Sequence, residues 1–577
     1  ITADFSNLNP DQLNGSLHLT DFAISDTKEI FPIQEMNLKA ISTQDSNQIN
    51  LNSQIADAEL KGKFKLTQIF SALSATLNEY YNFQEKDQKI EIDPHQYFTL
   101  NAEIKDDDLI RKFVPDLKNF ETINLNATYE ADSQKILVNG EIPNLTYDKN
   151  TIDAGKFQIS NNNNALQYDL SIGGLKSESF QLKKININGD IAQNIINYTV
   201  STKDDKDATQ FLVAGNVKAL NDITEISLNP NGLILNHEQW QVGNDNRIQL
   251  KKDGIVANNF RISKDGSEIF LQSENNDGAS PLNIQIKDFK IETITELIKK
   301  DDLPAAGTIN GTAQIRDLNK EMTFTSDLTI SDLQAFGNPI GHLTAKVKNT
   351  SPTNINADIA LTGNNNDLKI TGDYNTKESV FDLLLAINHL EMKSIQGFSM
   401  NAIKDTEGFI SGNLNVTGTV DKPSILGKIL FNEVGLTVAE TGSNFRKIND
   451  EIDFTNKGIE LNRFKINDAD GNSLTVNGEV LTSNYQDFAF NLTANARNFK
   501  VVNSQKSNDA LMYGILAINA TLQIKGDLDL PIVNGQLKVT EDTDFTFVLP
   551  QSSPSLQARD GIVEFIDQDQ IALQETI

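Results

Sequence analysis

Apolar and polar residues alternate with a period of two along most of the chain. The alternating stretches are short and separated by Asn, Asp, Gly and Lys, as in Leu17-His18-Leu19 and residues 136–140, 185–189, 368–372 and 474–478. That period belongs to strands with one apolar and one wet face. Strands buried on both faces would be continuously apolar, so the pattern predicts an antiparallel or mixed sheet. Several stretches run apolar–x–Gly or apolar–x–x–Gly, suggesting that strands stop at a common edge. Helical spacing is confined to three places. Residues 67–82 set Ile69, Leu73, Leu77 and Tyr80 or Tyr81 along one stripe. Residues 106–117 align Leu109, Ile110, Phe113 and Leu117 behind aspartates that favour a helix start, with Pro115 expected to kink or shorten the helix. Residues 291–300 align Ile294, Leu297 and Ile298 before Lys299 and Lys300. Residues 299–306 read as a junction between a β-rich region with short helices, 1–300, and a β-repeat region, 307–577, continuous with the first.

Three short helices cannot cover the apolar face of so much sheet. The sheet is expected to fold over itself, pair with a second sheet, or shelter something that is not protein.

Repetition sharpens this picture. Residues 413–430 and 521–537 follow one template, with Gly418, Asp421, Pro423 and Gly427 standing 108 residues before Gly526, Asp529, Pro531 and Gly535. Leu414 and Val416, like Leu522 and Ile524, alternate with polar residues up to the first glycine. Asp and Pro then set a turn, and alternation resumes at Ile425 and Ile429 and at Ile532 and Leu537. Residues 254–262 match 458–466 at an offset of 204, aligning Phe260 with Phe464. A repeated strand–turn–strand unit builds by stacking, so function is expected in the surface or groove the stack creates. The glycines, aspartates and prolines read as turn and register elements, and Leu414, Val416, Ile429, Phe464, Ile466, Leu522, Ile524 and Leu537 as candidate lining.

Charge and composition remove several function classes. Among 577 residues, 79 acidic and 50 basic side chains leave a formal charge of -29, which argues against nucleic acid and against anionic membrane surfaces. No cysteine is present, so disulfides, zinc–thiolate sites and thiol chemistry are excluded. The histidines His18, His95, His237, His342 and His389 are dispersed, and no HExxH, GxSxG, GxGxxG or GxxxxGK pattern occurs. No carboxylate stands out from the acidic background, so no enzyme, metal site or cofactor is expected. Residues 467–472 resemble half a calcium loop but lack its opening acidic ligand, and a hairpin turn is expected instead. Glycosylation-like triplets at Asn197, Asn415, Asn491 and Asn519 fall in predicted strands. Phenylalanine dominates the aromatics, 30 against 10 Tyr and one Trp, which suits both core packing and an acyl-chain lining. The chain opens at Ile1 without a leader or an apolar run near 18 residues. A processed protein or an excised segment is therefore expected, with any anchor of the parent left open.

The passage Gly412-Asn-Leu-Asn-Val-Thr-Gly418-Thr-Val-Asp-Lys-Pro423-Ser-Ile-Leu-Gly427 resembles the repeating signature of TamB proteins, the translocation and assembly module of double-membraned bacteria, within the AsmA-like bridge-type lipid transfer group. Residues 522–535 are similar to the same signature, and residues 560–565 to a glycine–apolar–phenylalanine strand of that family's C-terminal region, with Ile562, Val563 and Phe565 as a possible partner edge. The resemblance is clear from about 307 to 565 and textural before that. It implies a mostly β fold: an elongated, repeat-built sheet folded lengthwise into a taco-like half-pipe with an apolar groove, plus a few short helices. It also implies a periplasmic bridge carrying phospholipids between inner and outer membranes, with an inner-membrane anchor absent from this chain. The partner would be an outer-membrane Omp85-type (TamA-like) barrel protein. The rival expectations are a scaffold for outer-membrane β-barrel assembly or secretion, and an extracellular adhesin or stalk of closed sandwiches.

Overall fold

A computed structural model of the chain describes residues 1–25, 30–81, 93–162, 164–177, 180–220, 222–295, 305–317, 322–399, 401–506 and 512–548. Thirty-seven strands and four short α-helices make up these residues: α1 (Ile69–Asn78), α2 (Asp108–Phe113), α3 (Glu292–Thr295) and α4 (Met392–Phe398). Every strand pairing set out below is antiparallel, as one-sided alternation predicts. Contacts divide the chain into two compact units, residues 1–386 and 387–577, so that the 299–306 junction lies inside the first. Among the described residues no helix is long and apolar enough to cross a membrane.

The helices are shorter than their stripes. The Asp107 carboxylate caps α2 by accepting from the Leu109 N–H at 2.9 Å, and α2 stops two residues before Pro115, which disfavours helical geometry in its predecessor. Of residues 291–300 only α3 and Ile291 are described. Helix α4 carries no stripe long enough to announce it; its Met392 is buried and Gly397 lies near its end.

In the first unit most strands form a meander of sequence neighbours; exceptions include Leu117–Phe120, which pairs with Lys135–Tyr147, and Ile223–Leu235, which pairs with both Glu238–Val242 and Arg247–Lys251. Its register strings apolar residues into rows across the sheet. One row runs Leu17, Leu38, Leu51, Ala58, Ala102, Leu125, Gly140, Phe157, Leu170, Ile187, Val200, Val213 and Leu233, each opposite the next. One residue along, the opposite face carries Lys39, Asn50, Glu59, Asn101, Asn126, Asn139, Gln158, Asp169, Asn188 and Thr199. The period of two therefore becomes one apolar and one polar face for the unit. Gly140, Gly189, Gly372 and Gly478 stand inside strands rather than ending them, which corrects the common-edge expectation. Gly189 shows the reason. A Cβ there would lie 1.9 Å from the Asn197 carbonyl oxygen and 2.7 Å from the Tyr168 hydroxyl, so the Tyr168 ring lies across a residue without a side chain.

Many strands break their alternation once, with a three-residue step between successive apolar positions. The residue before the second apolar position takes positive φ: Asp21 before Phe22, Asn259 before Phe260, Asp288 before Phe289, Asp332 before Leu333, Glu433 before Val434, Arg463 before Phe464 and Asn498 before Phe499. At five of these the register counts one extra residue on the bulged strand: Ile286 and Phe289 face Gly311 and Ile309, Ile330 and Leu333 face Leu343 and Gly341, Asn432 and Gly435 face Phe409 and Glu407, Leu461 and Phe464 face Gly478 and Val476, and Ala496 and Phe499 face Ala520 and Ile518. These are β-bulges, which bend a strand and re-aim its side chains. In strands running one way the break lies in the C-terminal half, and in those running back in the N-terminal half, as for Asp332 in Thr323–Ala335 and Ala154 in Asn150–Asn162. Within each unit the breaks thus mark a crease that separates a long apolar panel from a short lip.

Candidate functional site

The candidate site is the apolar face, assembled from registers rather than from one motif. In the second unit the two template passages form equivalent hairpins. Gly418 faces Pro423 and Leu414 faces Gly427; Gly526 faces Pro531 and Leu522 faces Gly535. Gly418 and Gly526 have φ of 98° and 95°, values that L side chains resist. From Leu414 the row continues through Gly427, Phe454, Ile459, Val480, Phe490 and Gly526 to Pro531, without a polar member.

All eight candidate lining residues fall on this face. Phe464, Val476, Ala494, Leu522 and Gly535 form one row; Ile466, Leu474, Ala496, Ala520 and Leu537 form the next. Gly412 pairs with Ile429, which puts Ile429 in phase with Leu414 and Val416, and Ile524 lies opposite Leu492. Their surroundings differ. Leu414, Ile429 and Phe464 are buried, Val416, Ile466, Leu522 and Ile524 are half-buried, and Leu537 is 57% exposed. Ile532 lies opposite Lys525, on the polar face. It is Val533, opposite Ile524, that continues the apolar row. Ile562, Val563 and Phe565 lie outside the described residues.

Most of the face is neither buried nor bare. In the thirteen-member row of the first unit every residue except Gly140 and Leu233 is half-buried. Within each unit the sheet curls toward this face. Trp240 and Phe289 sit on strands three steps apart, roughly 14 Å in a flat sheet, yet their ring centroids are 5.8 Å apart. Phe445 and Phe499, also three steps apart, stack at 5.6 Å. The hairpin loop before Phe445 closes the lip: the Ser443 hydroxyl donates to the Val501 carbonyl at 2.6 Å and the Asn503 N–H to the Thr441 carbonyl at 3.0 Å. Beyond the crease the second unit is therefore a packed core of Val434, Ile448, Phe464, Phe499 and Val502, with Met392 of α4 against it. The panel remains open.

Helix α1 covers part of the panel in the first unit. Lys63 and Tyr97 are direct partners, yet residues 64–96 stand between them. Ile69, Ala72, Leu73 and Leu77 pack on Ile49, Leu60, Phe98, Tyr129 and Val138 of the apolar face. The Tyr80 carbonyl accepts from the Asn194 N–H at 3.0 Å, and the Tyr80 hydroxyl from Asn161 Nδ2 at 2.9 Å. Two tyrosines belong to the panel itself. The Tyr168 hydroxyl donates to the Asn197 carbonyl at 2.9 Å, and burial pushes the hydroxyls of Tyr168 and Tyr198 upward in pKa, which keeps both neutral.

Sequence reasoning missed the crease residues and the side chains that hold them. The bulge N–H groups donate to the neighbouring strand: Asn259 to Gln272 Oε1 at 2.8 Å, Asp288 to Asn310 Oδ1 at 2.8 Å, Asp332 to His342 Nδ1 at 3.3 Å, Glu433 to Asn449 Oδ1 at 2.7 Å, Arg463 to Asn477 Oδ1 at 3.2 Å and Asn498 to Asn519 Oδ1 at 2.8 Å. The available signal was the three-residue step ending in Phe, Leu or Val. The 204-residue match contained it, since Asn259 and Arg463 are equivalent and both have positive φ. The would-be calcium loop is a hairpin turn. Asp468 there is 2% exposed and accepts from the N–H groups of Asp470, Asn472 and Lys500 and from Asn472 Nδ2. Among the described residues no group of three or more His, Asp or Glu side chains is placed to hold a metal.

Residues 462–576 match the family model described as the TamB C-terminal domain. No curated protein and no solved structure matches the chain. The match begins two residues before Phe464 and runs through the second template hairpin, so it overlaps the rows and crease just described. Residues 462–576 are thus assigned to a TamB C-terminal domain.

Proposed function

We propose that the chain is a passive, non-enzymatic conduit for phospholipids across the periplasm of a double-membraned bacterium, working without a cofactor and contributing to outer-membrane biogenesis. The observation that carries this reading is the unbroken, half-buried apolar row. Thirteen strands at ~4.8 Å span about 58 Å, several times the tail length implied by a hydrocarbon core ~30 Å thick for two leaflets. Each sheltered CH₂ contributes roughly 0.8 kcal/mol, so a tail of about 16 carbons gains on the order of 10 kcal/mol. That offsets extraction from a bilayer, while neighbouring positions along a uniform row offer nearly equal energies and let the tail advance. Headgroups stay at the open seam and the acidic polar face stays wet.

Transfer of a fluorescent phospholipid between vesicles tests the reading. Ile187→Glu, Val480→Glu and Ile524→Glu place a charge on the open panel and are expected to cut transfer at least tenfold with the fold intact by circular dichroism. Asn188→Glu, one residue along on the polar face, is expected to leave it unchanged. Folded panel variants with undiminished transfer would sink the conduit reading.

One observation favours a second role, as a scaffold for outer-membrane barrel proteins. The strand Pro531–Val539 has all nine residues exposed and, among the described residues, pairs only with Met512–Asp527. Such an edge can accept a strand from a barrel-type partner. A photo-crosslinker at Gln536 that captures a barrel protein in cells would support that role, and capture of none would remove it.

A further inference from the structure

Helix α1 narrows the apolar panel of the first unit. Beyond the helix, strand Ala165–Lys176 turns Leu166, Tyr168, Leu170 and Ile172 to the apolar face, one residue in each of four rows. Same-face residues lie ~6.8 Å apart along a strand, so four rows enclose three lanes in which an acyl tail can lie across the strands. Strand Tyr97–Ile104 fills the same four rows with Phe98, Leu100, Ala102 and Ile104. There α1, about 10 Å across with its side chains, packs on Leu60, Phe98, Tyr129, Ile136 and Val138. All five belong to the Phe98 and Leu100 rows. The Ala102 and Ile104 rows lie outside this contact, so beside α1 three lanes become one. The two tails of a phospholipid cannot pass there abreast.

The seat of α1 is shallow. Only Ala72 and Thr76 of the helix are buried. Ile69, Leu73 and Leu77 are half-buried, while Leu66 just before the helix and Phe70 within it, which continue the same apolar arc, are 39% and 87% exposed. Hydroxyl groups share the work of holding it: the Tyr129 hydroxyl donates to the Ala72 carbonyl at 3.2 Å and lies 3.0 Å from the Thr76 hydroxyl. An element with so few large buried side chains opens locally at less cost than the strands beneath it. Nor does the sheet depend on α1 for its register, since Lys63 and Tyr97 are direct partners across the whole insertion. At the far end the helix is clasped by polar bonds alone among those described above, from Asn161 Nδ2 to the Tyr80 hydroxyl and from the Asn194 N–H to the Tyr80 carbonyl.

We propose that α1 is a gate on the conduit: seated, it leaves a single lane, and lifting off the panel it opens the further lanes that a two-tailed lipid needs. The proposal rests on the conduit reading and adds its regulation. The chain has no cysteine, so Tyr80→Cys/Asn161→Cys introduces one pair of thiols, which a short, reductant-cleavable bis-maleimide can bridge in place of the native clasp. Transfer of a headgroup-labelled fluorescent phospholipid between phosphatidylcholine vesicles is then measured with the bridge intact and after cleavage. The bridged chain is expected to transfer at least fivefold more slowly than the same chain after cleavage. Replacing residues 64–96 by Asn-Gly, which closes Lys63 and Tyr97 into a two-residue hairpin, is expected to raise transfer at least twofold over the native chain. Should that variant fail to fold, Tyr80→Phe, which gives up the bond to Asn161, is expected to raise transfer by a smaller factor. Equal transfer before and after cleavage, or slower transfer by a folded chain without α1, would overturn the gate and leave the conduit standing. Absence of transfer by the native chain would overturn both.

Discussion

The residues that decide this fold are the ones that break its alternation. Asn498 holds a left-handed conformation in the middle of a strand, and its N–H donates to Asn519 Oδ1 of the next strand. Asn519→Leu removes that acceptor at a solvent-accessible bond and is expected to cost about 0.5–1.5 kcal/mol, read as a lower urea midpoint. Arg463 holds the same conformation with a long side chain, a backbone penalty of roughly 1–2 kcal/mol that glycine does not carry. Arg463→Gly is therefore expected to stabilise the chain by up to about 1 kcal/mol after its unfolded-state entropy cost, an outcome that a merely damaging substitution would reverse. Asn, Asp, Glu, Lys and Arg all occupy such positions, so no residue type marks them. The template glycines were legible because their spacing repeats, whereas the crease residues share only a place in a phase.

At the scale of the element, the two-residue period made nearly every strand readable, and strand borders and helices less so. A three-residue step inside a strand mimics helical spacing locally, which hides the crease from a reading that looks for one period at a time. Helices α1 and α2 were visible as stripes but are shorter than them, α2 starting at its Asp107 cap and ending before Pro115, and α4 was hidden by its seven-residue length. Which face lines the site could be read only with the register: Ile532 and Val533 are both apolar, and cross-strand partners alone assign them to opposite faces. Deleting Asn498 tests the importance of phase. Without the extra residue, Phe499 and Val502, both buried, are driven toward the wet face. The expected loss of several kcal/mol exceeds that of Asn519→Leu and would appear as a far lower urea midpoint. Deleting Gln486 from an exposed turn is the matched control.

At the scale of the whole molecule, the formal charge of -29 bears on the proposed lipid transfer, which would bring the chain to membrane surfaces. Anionic surfaces repel it over a Debye length of ~10 Å at 0.1 M salt. Lipid transfer is expected to run faster from zwitterionic than from anionic vesicles, and raising salt from 0.05 to about 0.5 M should shrink the gap; a gap that widens with salt would contradict the argument. Composition made this behaviour legible, together with the absence of thiol chemistry. The continuity of the apolar rows was not legible, because a row joins residues that no local pattern connects: Leu17 and Leu233 share one row through eleven intervening strands.

The crease also sets a rule for how such a protein can change its reach. It stays on one side because, where strands carry bulges, those running one way carry them in the C-terminal half and those running back in the N-terminal half. Adding a single strand would reverse every strand after it and put the next bulge at the wrong rim. Insertion of a hairpin keeps direction, face and crease together. Lengths compatible with this architecture are therefore quantised in pairs of strands, increments of about 9.6 Å, and a homologue spanning a wider gap should differ by whole hairpins.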